Sequence, residues 1–234
     1  MEQHRTLGAI MKISTLLIAA SLVTAAGSAN AADLIVNGGF NNGGTVAAPG
    51  GGFTTLGSGS GAMTGWTVSG GDIDWIRGYW QSADGDGFSV DLNGNTPGAV
   101  SQTINTVSGQ TYHLTFDLSA NPDSTVDSTR VAVLGANGST IGTADYTLTP
   151  ANSKANMLWQ GQTFDFMANS GTTVISFTSG NTVGDCCYGA AIDNVAVAGV
   201  PEPATWGLMT LGVGLAGFAL RRRRSAARVS CAVG

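Results

Sequence analysis

The residues that could do chemistry in this chain are few, and their types narrow the options. Between Ala32 and Val200 there is one histidine, His113, with Asp117 four residues on along the same face of an expected strand. Nucleophilic hydrolysis needs a base beside an activated hydroxyl or thiol. No Ser elbow accompanies His113, so a His113–Asp117 dyad gives way to a simpler reading as an exposed polar strand face. Glycoside hydrolysis needs two facing carboxylates. The same segment holds thirteen Asp and no Glu, and no spacing singles out a pair. The chain is therefore read as not an enzyme, with a secreted hydrolase as the remote alternative.

Binding residues are easier to name. Trp80 stands in a loop rich in Gly, Tyr, Gln and Asp, flanked by Tyr79, Gln81 and Asp84, and reads either as a core-capping tryptophan or as a sugar platform with those three as polar neighbours. An aromatic ring offers an apolar platform to a sugar face, while nearby amides and carboxylates bond its hydroxyls. Trp66 alternates with Val68, and Trp75 with Ile73, which makes both core residues. Asp91-Leu92-Asn93-Gly94-Asn95 superficially resembles a calcium loop. Thr96 replaces the turn glycine and Gln102 the bidentate Glu, so this stretch reads as a strand end and turn. Cys186 and Cys187 are adjacent. A bridge between them would be shorter than the usual disulfide span, so free or redox-labile thiols are at least as well supported, and zinc would lack further ligands.

The elements that must position these residues read as all-β. Short runs of β-branched and aromatic residues alternate with Gly, Asn, Asp and Pro turns. Expected strands are Leu34–Val36, Gly65–Val68, Ile73–Ile76, Phe88–Leu92, Ala99–Ile104, Thr111–Leu118, Arg130–Leu134, Ile141–Tyr146, Gln162–Phe166, Thr173–Thr178 and Ala191–Val197. In Thr111–Leu118 the residues Tyr112, Leu114, Phe116 and Leu118 share one face, the period-2 mark of a half-buried strand. Gly38 to Gly61 reads as a long Gly-rich loop. Eleven strands over this length suit a two-sheet jelly-roll sandwich.

Both ends of the 234-residue chain read as addresses. Lys12, the apolar run Ile13–Ala26 and Ala29-Asn30-Ala31 form a signal peptide over 1–31, with Met11 as an alternative start. The sandwich occupies 32–198, a sorting and anchor segment 199–224, and a short tail 225–234. Pro203 to Leu220 carries no charge. As a single helix it would span about 27 Å, just enough to cross a bilayer. Arg221 to Arg224 should stay cytoplasmic, placing the sandwich on the exported side. Between the two ends only Arg77, Arg130 and Lys154 are basic. Such an acidic surface repels phosphate backbones, so nucleic acid is excluded as a partner.

Pro201-Glu202-Pro203, the apolar run and Arg221-Arg222-Arg223-Arg224 together resemble the PEP-CTERM sorting signal of Gram-negative bacteria. That resemblance implies recognition by an exosortase-type membrane protease after signal peptidase has acted. It further implies transient anchoring and delivery to the cell surface or extracellular matrix. Ser225 to Gly234 is a longer extension than the signal usually carries.

Asn37-Gly38-Gly39-Phe40, Ile73-Asp74-Trp75-Ile76, Tyr79 to Gly85, Ser89 to Gly94, Gly109-Gln110-Thr111-Tyr112, Asn121-Pro122 and Ile192-Asp193-Asn194-Val195 resemble the choice-of-anchor C domain. This family is related to plant cell-wall proteins of unknown function with a galactose-binding-like jelly roll. The resemblance implies that fold and, more loosely, binding of an extracellular polysaccharide or cell-wall glycan. It also implies a structural calcium shared by the N-terminal loop and last strand, here Asn41 and Asp193, although relatives carry Glu where Asn41 stands. The alternative function is a structural matrix or adhesion protein binding other exported proteins.

Overall fold

The computed structural model describes residues 32–44, 51–125, 127–135, 138–181 and 187–200, with 207, 211, 212, 214 and 215; the side chains of 127–133 are not among them. The expected signal peptide, Pro201-Glu202-Pro203 and Arg221 to Arg224 all lie outside the described residues. Among those described, no helix is long and apolar enough to cross a membrane.

Among the described residues, eleven strands form: β1 (Phe53–Gly57), β2 (Thr67–Gly70), β3 (Asp72–Arg77), β4 (Phe88–Asp91), β5 (Gly98–Asn105), β6 (Thr111–Ser119), β7 (Asp127–Gly135), β8 (Thr140–Leu148), β9 (Gln160–Met167), β10 (Thr172–Ser179) and β11 (Ala191–Gly199). Every pairing is antiparallel. One sheet runs β1-β3-β4-β11-β6-β9 and the other β2-β5-β10-β7-β8. From β4 to β6 and again from β8 to β11, each step along the chain changes sheet, the crossing pattern of a jelly-roll sandwich.

The expected alternation holds where it is clearest. Tyr112, Leu114, Phe116 and Leu118 of β6 are all buried, and Phe116 meets Phe177 of β10 edge-on at 5.0 Å. Trp66 and Trp75 are buried in the same core, their indole N–H groups donating to the carbonyls of Asn37 and Phe40. Burying an aromatic of this size removes apolar surface worth about 1.5–3 kcal/mol per side chain.

Two expectations change. Leu34–Val36 is not a strand, because its backbone is divided between partners. Leu34 N–H donates to Val197 O of β11, while Val36 N–H donates to the Gln102 side chain of β5. The eleventh strand is instead β1, inside the stretch read as loop, where Phe53-Thr54-Thr55-Leu56 pairs with β3.

A bulge in β11 explains two sequence motifs together. The register shifts between Asp193 and Ala196, and Asn194 takes φ 49°. An added residue flips side-chain phase, so Ile192 before the bulge and Val195 and Val197 after it all face the core. Asn37-Gly38-Gly39-Phe40 docks on this bulge, with Val195 N–H donating to Gly38 O. A Cβ on Gly38 would lie 1.9 Å from Val195 O, so only glycine fits there.

Candidate functional site

The face of the six-stranded sheet turned away from the core carries an unusual row. Register places Thr55, Asp74, Asp91, Ala191 and Ser119 side by side across β1, β3, β4, β11 and β6. This face ought to be wet, yet all of these but Thr55 are buried or nearly so. The cover comes from two loops. Residues 78–87 fold back so that Trp80 packs with Ile76, Met157 and Ala191, and residues 149–159 bring in Met157 and Trp159. Gln81 fastens one loop to the other: its side-chain oxygen accepts from Met157 N–H and its carbonyl from Trp159 Nε1.

What the loops leave open is a cleft of about 250 Å³. Thr55, Asp74 and Asp91 form its floor, Phe53, Tyr79, Trp80 and Tyr188 its walls, and Asn95, Asn121 and Asp123 its ends. Asp91 is held by Asn121 Nδ2 at 2.8 Å and Asn93 N–H at 2.9 Å. Asp74 accepts from Thr55 Oγ1 at 2.6 Å. Burial pushes the Asp74 carboxyl up, the Thr55 hydrogen bond opposes this, and the charge of Asp72 adds to it. At the rim, Lys154 Nζ donates to Asp123 (2.8 Å) and Tyr79 Oη (2.6 Å) and lies 4.1 Å from the Tyr79 ring centre. The Lys154 bond draws the Asp123 carboxyl below its ordinary value. This clasp fixes the attitude of the Tyr79 ring, which meets Phe53 edge-on at 5.2 Å.

The four residues expected around a sugar therefore separate. Tyr79 and Trp80 line the cleft, but Trp80 is no exposed platform. It is 4% exposed, with its Nε1–H donating to the buried Ser89 Oγ at 2.8 Å. Gln81 braces the loops, and Asp84 points elsewhere, into a cluster with Asp86, Asn41 and Asp193. Asn41 Nδ2 donates to Asp86, and Asp84 caps Asp86 N–H. Asp193 is fully buried and accepts from Ala83 and Asn194 N–H. Burial raises its pKa to about 7, against the two backbone hydrogen bonds and with help from the charges of Asp84 and Asp86. Asn41 and Asp193 are thus brought into one cluster. Among the described residues, however, no three His, Cys, Asp or Glu groups stand in a metal-holding arrangement.

His113 pairs with Asp165, its neighbour across β6 and β9, and Asp117 instead accepts from Asn194 Nδ2. His113 thus lies on an exposed polar strand face, as expected, with a cross-strand carboxylate rather than Asp117 as its partner. Cys187, left open between a strained bridge and a free or labile thiol, is disulfide-bonded and lines the cleft. Asp74 and Asp91 were missed as site residues. The available signal was a carboxylate inside an otherwise apolar strand, Ile73-Asp74-Trp75-Ile76.

The two-sheet sandwich carries an aromatic-walled, acid-floored cleft on the outer face of one sheet, the architecture of a jelly-roll domain. The chain belongs to the family described as Protein of unknown function (DUF642), whose model matches residues 33–198. Residues 199–224 match the PEP-CTERM protein-sorting motif. The chain is 31% identical over 187 residues to halomucin of Haloquadratum walsbyi, covering 80% of this chain and 2% of that protein. It thus spans a small fraction of its relative's length. Similar solved structures include TmCBM61 in complex with β-1,4-galactotriose, at TM-score 0.46 and 13% identity over 72% of this chain and 99% of that one. Another is the CBM22-1 xylan-binding domain from Paenibacillus barcinonensis, at TM-score 0.45 and 16% identity over 67% and 99%.

Proposed function

We propose that this protein is an exported, non-catalytic glycan-binding domain, sorted to the cell surface or extracellular matrix of a Gram-negative bacterium. The cleft carries the reading. Phe53, Tyr79 and Tyr188 offer apolar faces to a sugar ring, and Asp74, Asn95 and Asn121 lie within the same cavity to bond its hydroxyls. A glycan array with the wild type and Tyr79→Ala tests it. Binding that weakens with the variant supports the proposal, and a wild type silent on every glycan, with and without calcium, defeats it. Pull-down from matrix before and after glycan digestion separates this role from adhesion to exported proteins, whose capture would survive digestion.

The sorting motif at 199–224 supports handling by an exosortase-type protease, with the membrane hold removed on processing. Mass spectrometry of surface-extracted protein checks this, since a mature chain still carrying Arg221 to Arg224 means a permanent anchor. Calcium is proposed at Asn41 and Asp193, where Asp84 and Asp86 could turn in to add charge. Calorimetry of chelator-treated protein showing neither heat nor a raised melting temperature on adding calcium ends that part.

A further inference from the structure

The shape of the cleft narrows the ligand beyond glycans in general, on the reading that the cleft is the binding site. Of the row Thr55, Asp74, Asp91, Ala191 and Ser119, only the first three line the cavity. The other two are sealed. Ala191 packs with Trp80 and Met157, and Ser119 Oγ donates to the Met157 carbonyl. Three adjacent strands span two spacings of about 4.7–4.9 Å, so the open floor is about 10 Å long across the sheet.

The stop at Ala191 is built into the fold. Trp80, Met157 and Ala191 are all buried, and Trp80 is pinned to Ser89 Oγ. Gln81 N–H donates to Lys154 O at 2.9 Å, and the Gln81 side-chain oxygen accepts from Met157 N–H. Asn152 Nδ2 donates to Ala120 O at 2.7 Å, which ties residues 149–159 to the end of β6. Asn121 and Asp123, following β6, line the same end of the cavity.

Both flanks are walled as well. Phe53 and Tyr79 stand at the Ile76 end of β3, with Tyr79 braced by Lys154 and Asp123. Gly94-Asn95 stands at the Asp72 end, where Asn95 Nδ2 donates to Asp72 at 3.2 Å. Among the described residues, the floor therefore runs on only toward Thr55 of β1, the edge strand of the sheet. A groove open at both ends passes the middle of a polymer, whereas one blocked after three strands requires that the polymer stop there. The volume, about 250 Å³, is below the usual range of about 300–1,000 Å³ for drug-sized ligands and holds about one or two sugar rings. We infer that the cleft takes the end of a glycan chain, its terminal ring seated against Trp80 and the rest of the chain leaving over Thr55 and the edge of β1.

The test counts binding sites per mass of polymer and needs only the wild type. The purified full chain is titrated calorimetrically with β-1,4-galactan, β-1,4-xylan, mixed-linkage β-glucan and any glycan the array returns, each intact and after partial hydrolysis. If ends are bound, fragments about a tenth as long should show about tenfold more sites per gram, with Kd per site unchanged. On purified oligosaccharides of the same sugar, affinity should stop improving after about two or three rings, since later rings lie past the edge of the cavity. Sites per gram that hydrolysis leaves unchanged or lowers overturn the chain-end inference, while the glycan reading stands if Tyr79→Ala weakens that binding. Silence of every polymer and every fragment, with a silent array, removes the glycan reading and this inference with it.

Discussion

Trp80 and Tyr79 are neighbours in sequence and both line the cleft, yet truncating them should have opposite consequences. Trp80 is 4% exposed, packs on Ile76, Met157 and Ala191, and bonds Ser89. Trp80→Ala should cost about 3–5 kcal/mol for the cavity and about 1 kcal/mol for the abandoned Ser89 hydroxyl. In a domain of this size each kcal/mol lowers Tm by about 2–4 °C, so a fall of roughly 8–24 °C is expected. Tyr79 is only half-buried and its hydroxyl sits at the wet rim. Tyr79→Ala should cost about 1 kcal/mol of stability, since exposed ion-pair networks contribute little. It should weaken the best glycan ligand about tenfold or more, the scale of a lost aromatic contact. Differential scanning calorimetry and titration calorimetry on both variants give the two readouts. If Trp80→Ala melts with the wild type while losing binding, Trp80 is an exposed platform and the two loops do not pack over it.

Other outcomes follow from the same geometry. Asp193 has a folded pKa of about 7 against an ordinary 3.8, so between these values the unfolded chain has released a proton that the native state keeps. Stability in chelator should therefore fall as pH rises from about 4 to about 7, by at most about 4 kcal/mol, and level off above; urea unfolding should show the fall in the wild type and a flatter profile in Asp193→Asn. Gly38→Ala places a Cβ 1.9 Å from Val195 O. Because the obstacle is backbone, the variant should lose several kcal/mol or fail to accumulate folded, measured by circular dichroism, and wild-type stability would refute the docking of that loop on the β11 bulge. Lys154→Met frees Tyr79 and Asp123 while leaving the core alone; glycan affinity should drop severalfold with Tm within a few degrees, and Lys154→Arg should recover part of it.

Much of this fold was legible because strand periodicity is local. Tyr112, Leu114, Phe116 and Leu118 announce their buried face within eight residues. Trp66 and Trp75 declare themselves by alternating with apolar neighbours. β1 was hidden because its five pairing residues are embedded in a Gly-rich stretch whose composition says loop. The bulge in β11 was invisible for a different reason. Asn194 reads as an ordinary polar position in a strand, and only the Gly38 backbone pressed against Val195 shows why phase changes there.

The sequence by itself determined the all-β alternation, the acidic and lysine-poor character of the domain, and the C-terminal sorting motif, since each depends on residue type and near neighbours. The cleft was decided by tertiary structure alone. Thr55, Asp74, Asp91, Ala191 and Ser119 come from five strands and meet only through register. Trp80 is buried only because residues 149–159 close over it, and Asp84 leaves the sugar-facing group only because its loop turns toward Asp193. Pairings across tens to more than a hundred residues leave no local periodicity to read, and they are what turned scattered aspartates into a floor.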